Sequence, residues 1–122
     1  GVTEYKEGQR VAELTVTGAY SEYIVLPARQ LVPVPDNVNA AEAVTMILSY
    51  VTAYQMLTRS AKVKEGSKIL IHGAGGAVGS ALLQIGSILE LKMYGTASAS
   101  QHDFLKELGC QPLIISLKIL CR

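Results

Sequence analysis

The sequence predicts an α/β fold: the first half of a doubly wound parallel sheet, preceded by a short β segment. Three observations predict it. Between Lys68 and Leu120, short apolar runs alternate with two segments of helical period. A glycine cluster, His72-Gly-Ala-Gly-Gly-Ala-Val-Gly79, lies at the first passage from run to helix. Residues 8–26 are rich in β-branched and tyrosyl side chains separated by turn formers. Strand, helix, strand, helix, strand in that order implies a right-handed parallel unit.

The elements follow in order. Gly8, Gly18 and Pro27 punctuate the first stretch, which reads as two or three short strands. Pro27, Pro33 and Pro35 then carry the chain through Asp36 and Asn37 as a loop. Asn39 is placed to cap a helix, with Glu42 three residues on in capping-box register. Ala43, Met46, Ile47, Tyr50, Val51, Tyr54 and Leu57 recur at three- and four-residue spacing, which predicts a buried helix broken near Ser49. Lys68-Ile-Leu-Ile-His72 is an apolar run bounded by turn residues, as in a strand buried on both faces. Val78, Ala81, Leu82, Ile85, Ile88 and Leu89 trace one helical face. Lys92–Thr96 reads as a second strand, Asp103–Leu108 as a short helix stopped by the C-cap Gly109, and Leu113–Leu120 as a third strand.

Composition narrows the function. With 49% apolar and 17% charged residues in 122, the chain builds one core and is not disordered. The formal net charge of +1 lacks the basic excess that nucleic-acid binding draws on. Residues 1–60 carry net −2 and residues 61–122 net +3, so a small anionic ligand suits the second half. Two cysteines, Cys110 and Cys121, make neither a disulfide scaffold nor, with His72 and His102, a structural zinc site, and read as reduced packing residues. The opening GVTEYKEGQR shows no secretory pattern, so a cytoplasmic, reducing setting is expected. Residues 69–89 are free of charge, but five glycines and four polar side chains argue against a membrane span, and the Gly75/Gly79 G-x-x-x-G pair does not outweigh them.

The glycine cluster carries the strongest chemical signal. A diphosphate reaches the first turn of a helix only where no Cβ blocks it, and there it meets unpaired N–H groups and the positive end of the helix dipole. Gly73, Gly76 and Gly79 fit a G-x-x-G-x-x-G spacing, whereas the dinucleotide G-x-G-x-x-G would need a glycine where Val78 stands. The competing reading is a turn whose glycines merely let strand and helix pack closely. A nucleotide-hydrolysing P-loop is excluded, because Ser80 and Ala81 follow Gly79 where Lys and Ser or Thr are required. At the end of the second strand, where NAD sites hold a carboxylate, stand Thr96, Ala97 and Ser98. Nothing there repels a 2′-phosphate, which favours NADP over NAD, and His102 is the nearest stand-in for a basic partner.

Seven segments in order, Gly8-Gln-Arg-Val11, Gly18-Ala-Tyr-Ser-Glu-Tyr23, Val34-Pro-Asp-Asn37, Thr52-Ala-Tyr54, the glycine cluster, Gly95-Thr96 and Phe104-Leu-Lys-Glu-Leu-Gly109, resemble the medium-chain dehydrogenase/reductase superfamily. The resemblance is to its zinc-free quinone-oxidoreductase, or zeta-crystallin-like, branch, which includes prostaglandin and enone reductases. It covers residues 5 to 114, the middle part of such a protein. It implies that residues 1–38 are the C-terminal tail of a GroES-like β barrel and residues 39–122 a partial Rossmann nucleotide-binding domain. It further implies NADP(H) as cofactor, with Gly73, Gly76, Ala77, Val78 and Gly79 along the pyrophosphate, Thr96 and Ser98 beside the adenosine phosphate, and Thr52 near the nicotinamide. The family often has a Lys after the second strand on the 2′-phosphate; here either Gln101 or His102 takes its place. Zinc-dependent relatives place a Cys ligand where this chain has Leu48.

The implied activity is NADPH-dependent reduction of a quinone or an α,β-unsaturated carbonyl by hydride transfer, which needs no nucleophile and base set from the chain. Tyr20, Tyr23, Tyr50 and Tyr54 read as packing residues rather than proton donors, and His72 as a packed turn residue. Ile115–Arg122 departs from the family pattern, so a fragment or truncated form is expected, with exposed apolar faces and association into a homo-oligomer. The alternative is a catalytically silent dinucleotide-binding or interaction module.

Overall fold

The computed structural model of the chain describes residues 2–114. Two compact units divide between Leu48 and Ser49.

In the first unit, β1 (Val11–Ala12) pairs antiparallel with β2 (Val32–Pro33). Arg10 ties this unit together: its guanidinium donates to the carbonyls of Val38 (2.7 Å), Asp36 (2.6 Å) and Pro35 (3.2 Å). The Tyr5 hydroxyl donates to Leu31 O at 2.6 Å. Residues 13–26 form no strand, contrary to expectation, and Val16, Tyr20, Tyr23 and Val25 are 90% or more exposed. A strand needs a neighbour to take its N–H and C=O groups, and among the described residues these find none. Tyr20 and Tyr23 are therefore not packing residues. Helix α1 (Ala40–Thr45) opens as expected, with Asn39 Oδ1 accepting from Glu42 N at 2.8 Å.

The break expected near Ser49 is present as a π-helical turn over Met46–Tyr50. Helix α2 (Val51–Gln55) leads into a second such turn, Met56–Ser60. Here the buried residues are Ala53 and Leu57, while Val51 and Tyr54 are about half exposed. The expected apolar face is thus covered along one edge only, where α2 packs on α3 (Ala77–Ile88).

The second unit is built on a parallel sheet of order β3 (Lys68–His72), β4 (Lys92–Ala97), β5 (Cys110–Ile114). Its core gathers Ile71, Met93, Ala97 and Cys110 from the sheet with Ala81, Leu82 and Leu83 from α3, Leu105 from α4 (His102–Glu107), and Ala53 and Leu57. Leu83 lies off the face read from the sequence yet is fully buried, because α3 packs against both the sheet and α2. Ile88 of that face is exposed. Gly86 admits Met93: a Cβ there would lie 2.5 Å from the Met93 sulfur.

β3 is not buried on both faces. Ile71 is buried but Leu70 is 53% exposed, since the helices cover the face of Ile71, Met93 and Gly95 and leave that of Leu70, Tyr94 and Leu113 less protected. The third strand begins at Cys110, earlier than expected, because Gly109 (φ +73°) turns the chain straight out of α4. The rest of that expected strand, and Cys121, lie outside the described residues. Cys110 is a buried free thiol. Among the described residues no helix is long and apolar enough to cross a membrane.

Candidate functional site

The glycine cluster forms the turn between β3 and α3, at the C-terminal end of the parallel strands, where open α/β sheets carry their ligands. Its three spaced glycines do different work. Gly73 has φ +68°, a conformation costly for any side chain. Gly79 is buried, and a Cβ there would lie 2.5 Å from Gly73 O and 2.7 Å from Ala74 Cα, so helix and turn meet only because it is absent. This is the packing role of the competing reading. Gly76 is exposed, extended (φ −81°, ψ 174°) and caps α3 with no side-chain hydrogen bond.

The N–H of the cap Gly76 is bonded to Gly73 O at 3.0 Å, and the first N–H taken up within α3 is that of Ser80, bonded to Gly76 O at 2.8 Å. Among the described residues no hydrogen bond takes up the N–H groups of Ala77, Val78 or Gly79. A twelve-residue helix thus presents three unpaired donors beside a residue without a side chain, a geometry that receives an anionic group.

The end of β4 holds the turn in place. Ala74 N donates to Thr96 O at 3.0 Å, and Gly73 N to Thr96 Oγ1 at 3.3 Å. His72 Nδ1 shares a hydrogen bond of 3.2 Å with the same hydroxyl, so His72 is an exposed residue braced on Thr96 rather than a packed one. Ser98, exposed, shares a hydroxyl hydrogen bond of 3.1 Å with Ser100. His102 is half-buried and turned back to the carbonyl of its own strand end, with Nε2 3.4 Å from Ala97 O. Gln101 instead reaches the glycine turn: its Nε2 donates to Gly75 O at 3.5 Å, and a Cβ on Gly75 would lie 2.6 Å from that nitrogen.

Gly73, Gly76, Ala77, Val78, Gly79 and Thr96 are therefore brought together, and Ser98 and His102 follow Thr96 along the chain. Thr52 is half-buried on α2, whose preceding turn is joined to α3 by the Tyr50 hydroxyl donating to Gln84 Oε1 at 2.7 Å. Tyr50 is thus a bridging residue, whereas Tyr54 is exposed. The residue that sequence reasoning placed least firmly is Gln101; its one signal was its distance from β4, shared with His102.

No protein-family model matches the chain. It is 37% identical over 110 residues to the "Synaptic vesicle membrane protein VAT-1 homolog" of Rattus norvegicus, a match over 89% of this chain and 27% of that protein. It superposes on the quinone oxidoreductase of Pseudomonas syringae with a TM-score of 0.84 and 38% identity, over 91% of this chain and 35% of that one. The quinone oxidoreductase of Thermus thermophilus, solved also in complex with NADPH, aligns with a TM-score of 0.79 and 28% identity, over 88% of this chain and 37% of that one. The chain spans about a quarter of the length of the rat relative. The shared three-strand α/β unit and this level of identity agree with the ordered segments: the chain belongs to the medium-chain dehydrogenase/reductase superfamily, as a homologue of the quinone oxidoreductases and VAT-1 homologues.

Proposed function

We propose that the chain binds NADP(H) across the β3–α3 turn and forms the nucleotide-binding part of an oxidoreductase acting on a quinone or an α,β-unsaturated carbonyl. The observation that carries this reading is the set of unpaired N–H groups on Ala77, Val78 and Gly79 behind Gly76, the exposed cap residue, which brings no side-chain hydrogen bond to them. These donors fit a diphosphate. The bound cofactor supplies hydride at C4 of its nicotinamide.

The chain's own residues bind and orient. Ala77 and Val78 present backbone N–H groups to the diphosphate, Gly76, whose own N–H is bonded to Gly73 O at 3.0 Å, keeps the approach free of a side chain, Gly73 supplies the bend, and Gly79 lets α3 approach it. Thr96, Ser98 and His102 form the rim on the adenosine side, and Thr52 neighbours the nicotinamide. Leu48 stands where zinc-dependent relatives carry a ligand and has no group to coordinate a metal, which favours the zinc-free branch. Residues 1–38 are assigned to the tail of a GroES-like barrel and residues 39–122 to a partial Rossmann domain. A small-molecule substrate, a homo-oligomeric state, a cytoplasmic setting and the absence of membrane or nucleic-acid partners complete the proposal.

The chain lacks tryptophan, so NADPH fluorescence titrates cleanly against it. Saturable enhancement in the micromolar range is expected, and its absence, with a full-length relative binding in parallel, overturns the reading. NADPH oxidation with a simple quinone then separates the two functional classes. That the chain spans 27% of its rat relative favours binding without turnover for the chain alone.

A further inference from the structure

We infer that His72 is a positioning residue for the dinucleotide, coupling protonation of its ring through Thr96 to anion binding at the β3–α3 turn. The assignment rests on the dinucleotide reading above and adds to it a titratable group that hydride transfer does not use.

His72 and Thr96 are register partners at the C-terminal ends of β3 and β4, so their side chains stand on one face of the sheet. It is the face that the helices leave open, and the imidazole is exposed there. Nδ1 lies 3.2 Å from Thr96 Oγ1, and the same oxygen accepts from Gly73 N at 3.3 Å. Gly73 is the bend itself, and its carbonyl accepts from the cap Gly76. One hydroxyl therefore links the histidine to the turn that leads into the unpaired N–H groups of α3.

The hydrogens on these groups give the coupling its direction. A threonine hydroxyl has one hydrogen and two acceptor lone pairs. With Gly73 N–H on one lone pair, a neutral imidazole can take the Thr96 hydrogen on Nδ1. A protonated imidazole carries a hydrogen on both nitrogens. Its Nδ1 must then donate to the second lone pair, and the Thr96 hydrogen turns away, free to donate to a ligand oxygen. The protonated ring also brings a positive charge one residue before the bend. Both changes favour an anion, so dinucleotide binding and protonation of His72 strengthen each other.

Other charges are sparse around the turn. No Lys, Arg, Asp or Glu occurs in residues 69–89 or 93–102. On the same sheet face, Lys68 stands at the far end of β3, about 13 Å away at the rise of a strand. Lys92 is its register partner, and Tyr94 lies between Lys92 and Thr96. β5 adds only the uncharged Gln111 and Leu113 to that face. α3 carries no titratable side chain; on α4, Asp103 and Lys106 are paired at 3.1 Å, Glu107 is exposed, and the His102 ring is half-buried against Ala97 O. Among the described residues, His72 is thus the exposed group beside the turn whose type changes charge between about pH 5 and 8.

The test measures the NADPH dissociation constant of the 122-residue chain and of His72→Asn by fluorescence titration from about pH 6 to 8, with circular dichroism reporting the fold. Asparagine keeps a polar group toward Thr96 but takes up no proton. The ratio of the two constants cancels the titration of NADPH itself and of His102. His72→Asn should bind about fivefold more weakly at the acid end and equally well at the alkaline end. A merely structural role lowers affinity by the same factor at every pH. A ratio that stays constant, or that grows toward alkaline pH, overturns the assignment and leaves the dinucleotide reading intact. Should His72→Asn fail to fold, proton NMR of the unmodified chain decides: bound NADPH should raise the proton affinity of His72 about fivefold, and a His72 titration unmoved by NADPH overturns the assignment. Failure of the unmodified chain to bind NADPH anywhere in this range overturns both readings.

Discussion

The Thr96 side-chain oxygen accepts from the backbone N–H of Gly73, 3.3 Å away, so the end of the second parallel strand fixes the bend that follows the first. Residues 23 apart in sequence thereby share one element of the candidate site. Thr96→Val keeps the shape and removes the oxygen. It should cost about 1 kcal/mol of stability in urea denaturation, the net worth of a hydrogen bond, and weaken dinucleotide binding, whereas Thr96→Ser should do neither.

Gly79 and Gly75 are separated by what stands where their Cβ would be. At Gly79 it is backbone, Gly73 O at 2.5 Å and Ala74 Cα at 2.7 Å; at Gly75 it is the end of the Gln101 side chain. Gly79→Ala should destabilise by about 1–3 kcal/mol, because backbone must shift. Gly75→Ala should leave the melting temperature nearly unchanged, displacing only a surface amide.

Glu90, directly after the C-cap of α3, holds φ +54°, with Leu91 N closing on Gly86 O at 2.9 Å. This is a left-handed helix ending without its usual glycine. Glu90→Gly should stabilise by about 1 kcal/mol, read as a rise in melting temperature.

Burial pushes the Cys110 thiol above its ordinary value of 9.0, because the thiolate would lose its hydration. A pKa raised in the folded state contributes stability that is fully present below the unfolded value and lost as pH rises through the folded one. Stability should therefore fall as pH climbs past 9.0, and Cys110→Ala should flatten that fall in denaturation series from neutral to alkaline pH. Alkylation of Cys110 should be slow in the folded chain and fast in denaturant.

Leu70, 53% exposed on β3, the outer strand of the sheet among the described residues, shares a sheet face with Tyr94 and Leu113. An apolar edge of this kind promotes association. Sedimentation velocity should show the mean mass rising with concentration, and less so for Leu70→Lys.

Sequence alone determined what depends on neighbours a few residues away. The Asn39 cap, the interruption near Ser49, the strand Lys68–His72, the turn glycines and the stop at Gly109 were all legible, because period, capping and φ preference act within one or two helical turns. Tertiary structure decided the rest. It left residues 13–26 without a strand, opened one face of β3, buried Leu83, gave Gly79 to packing and Gly76 to the exposed cap, and set Gln101 rather than His102 over the turn. Each of these outcomes depends on which distant segment lies opposite, and strand pairing, burial and long-range hydrogen bonds leave no periodic trace in the local order of residues.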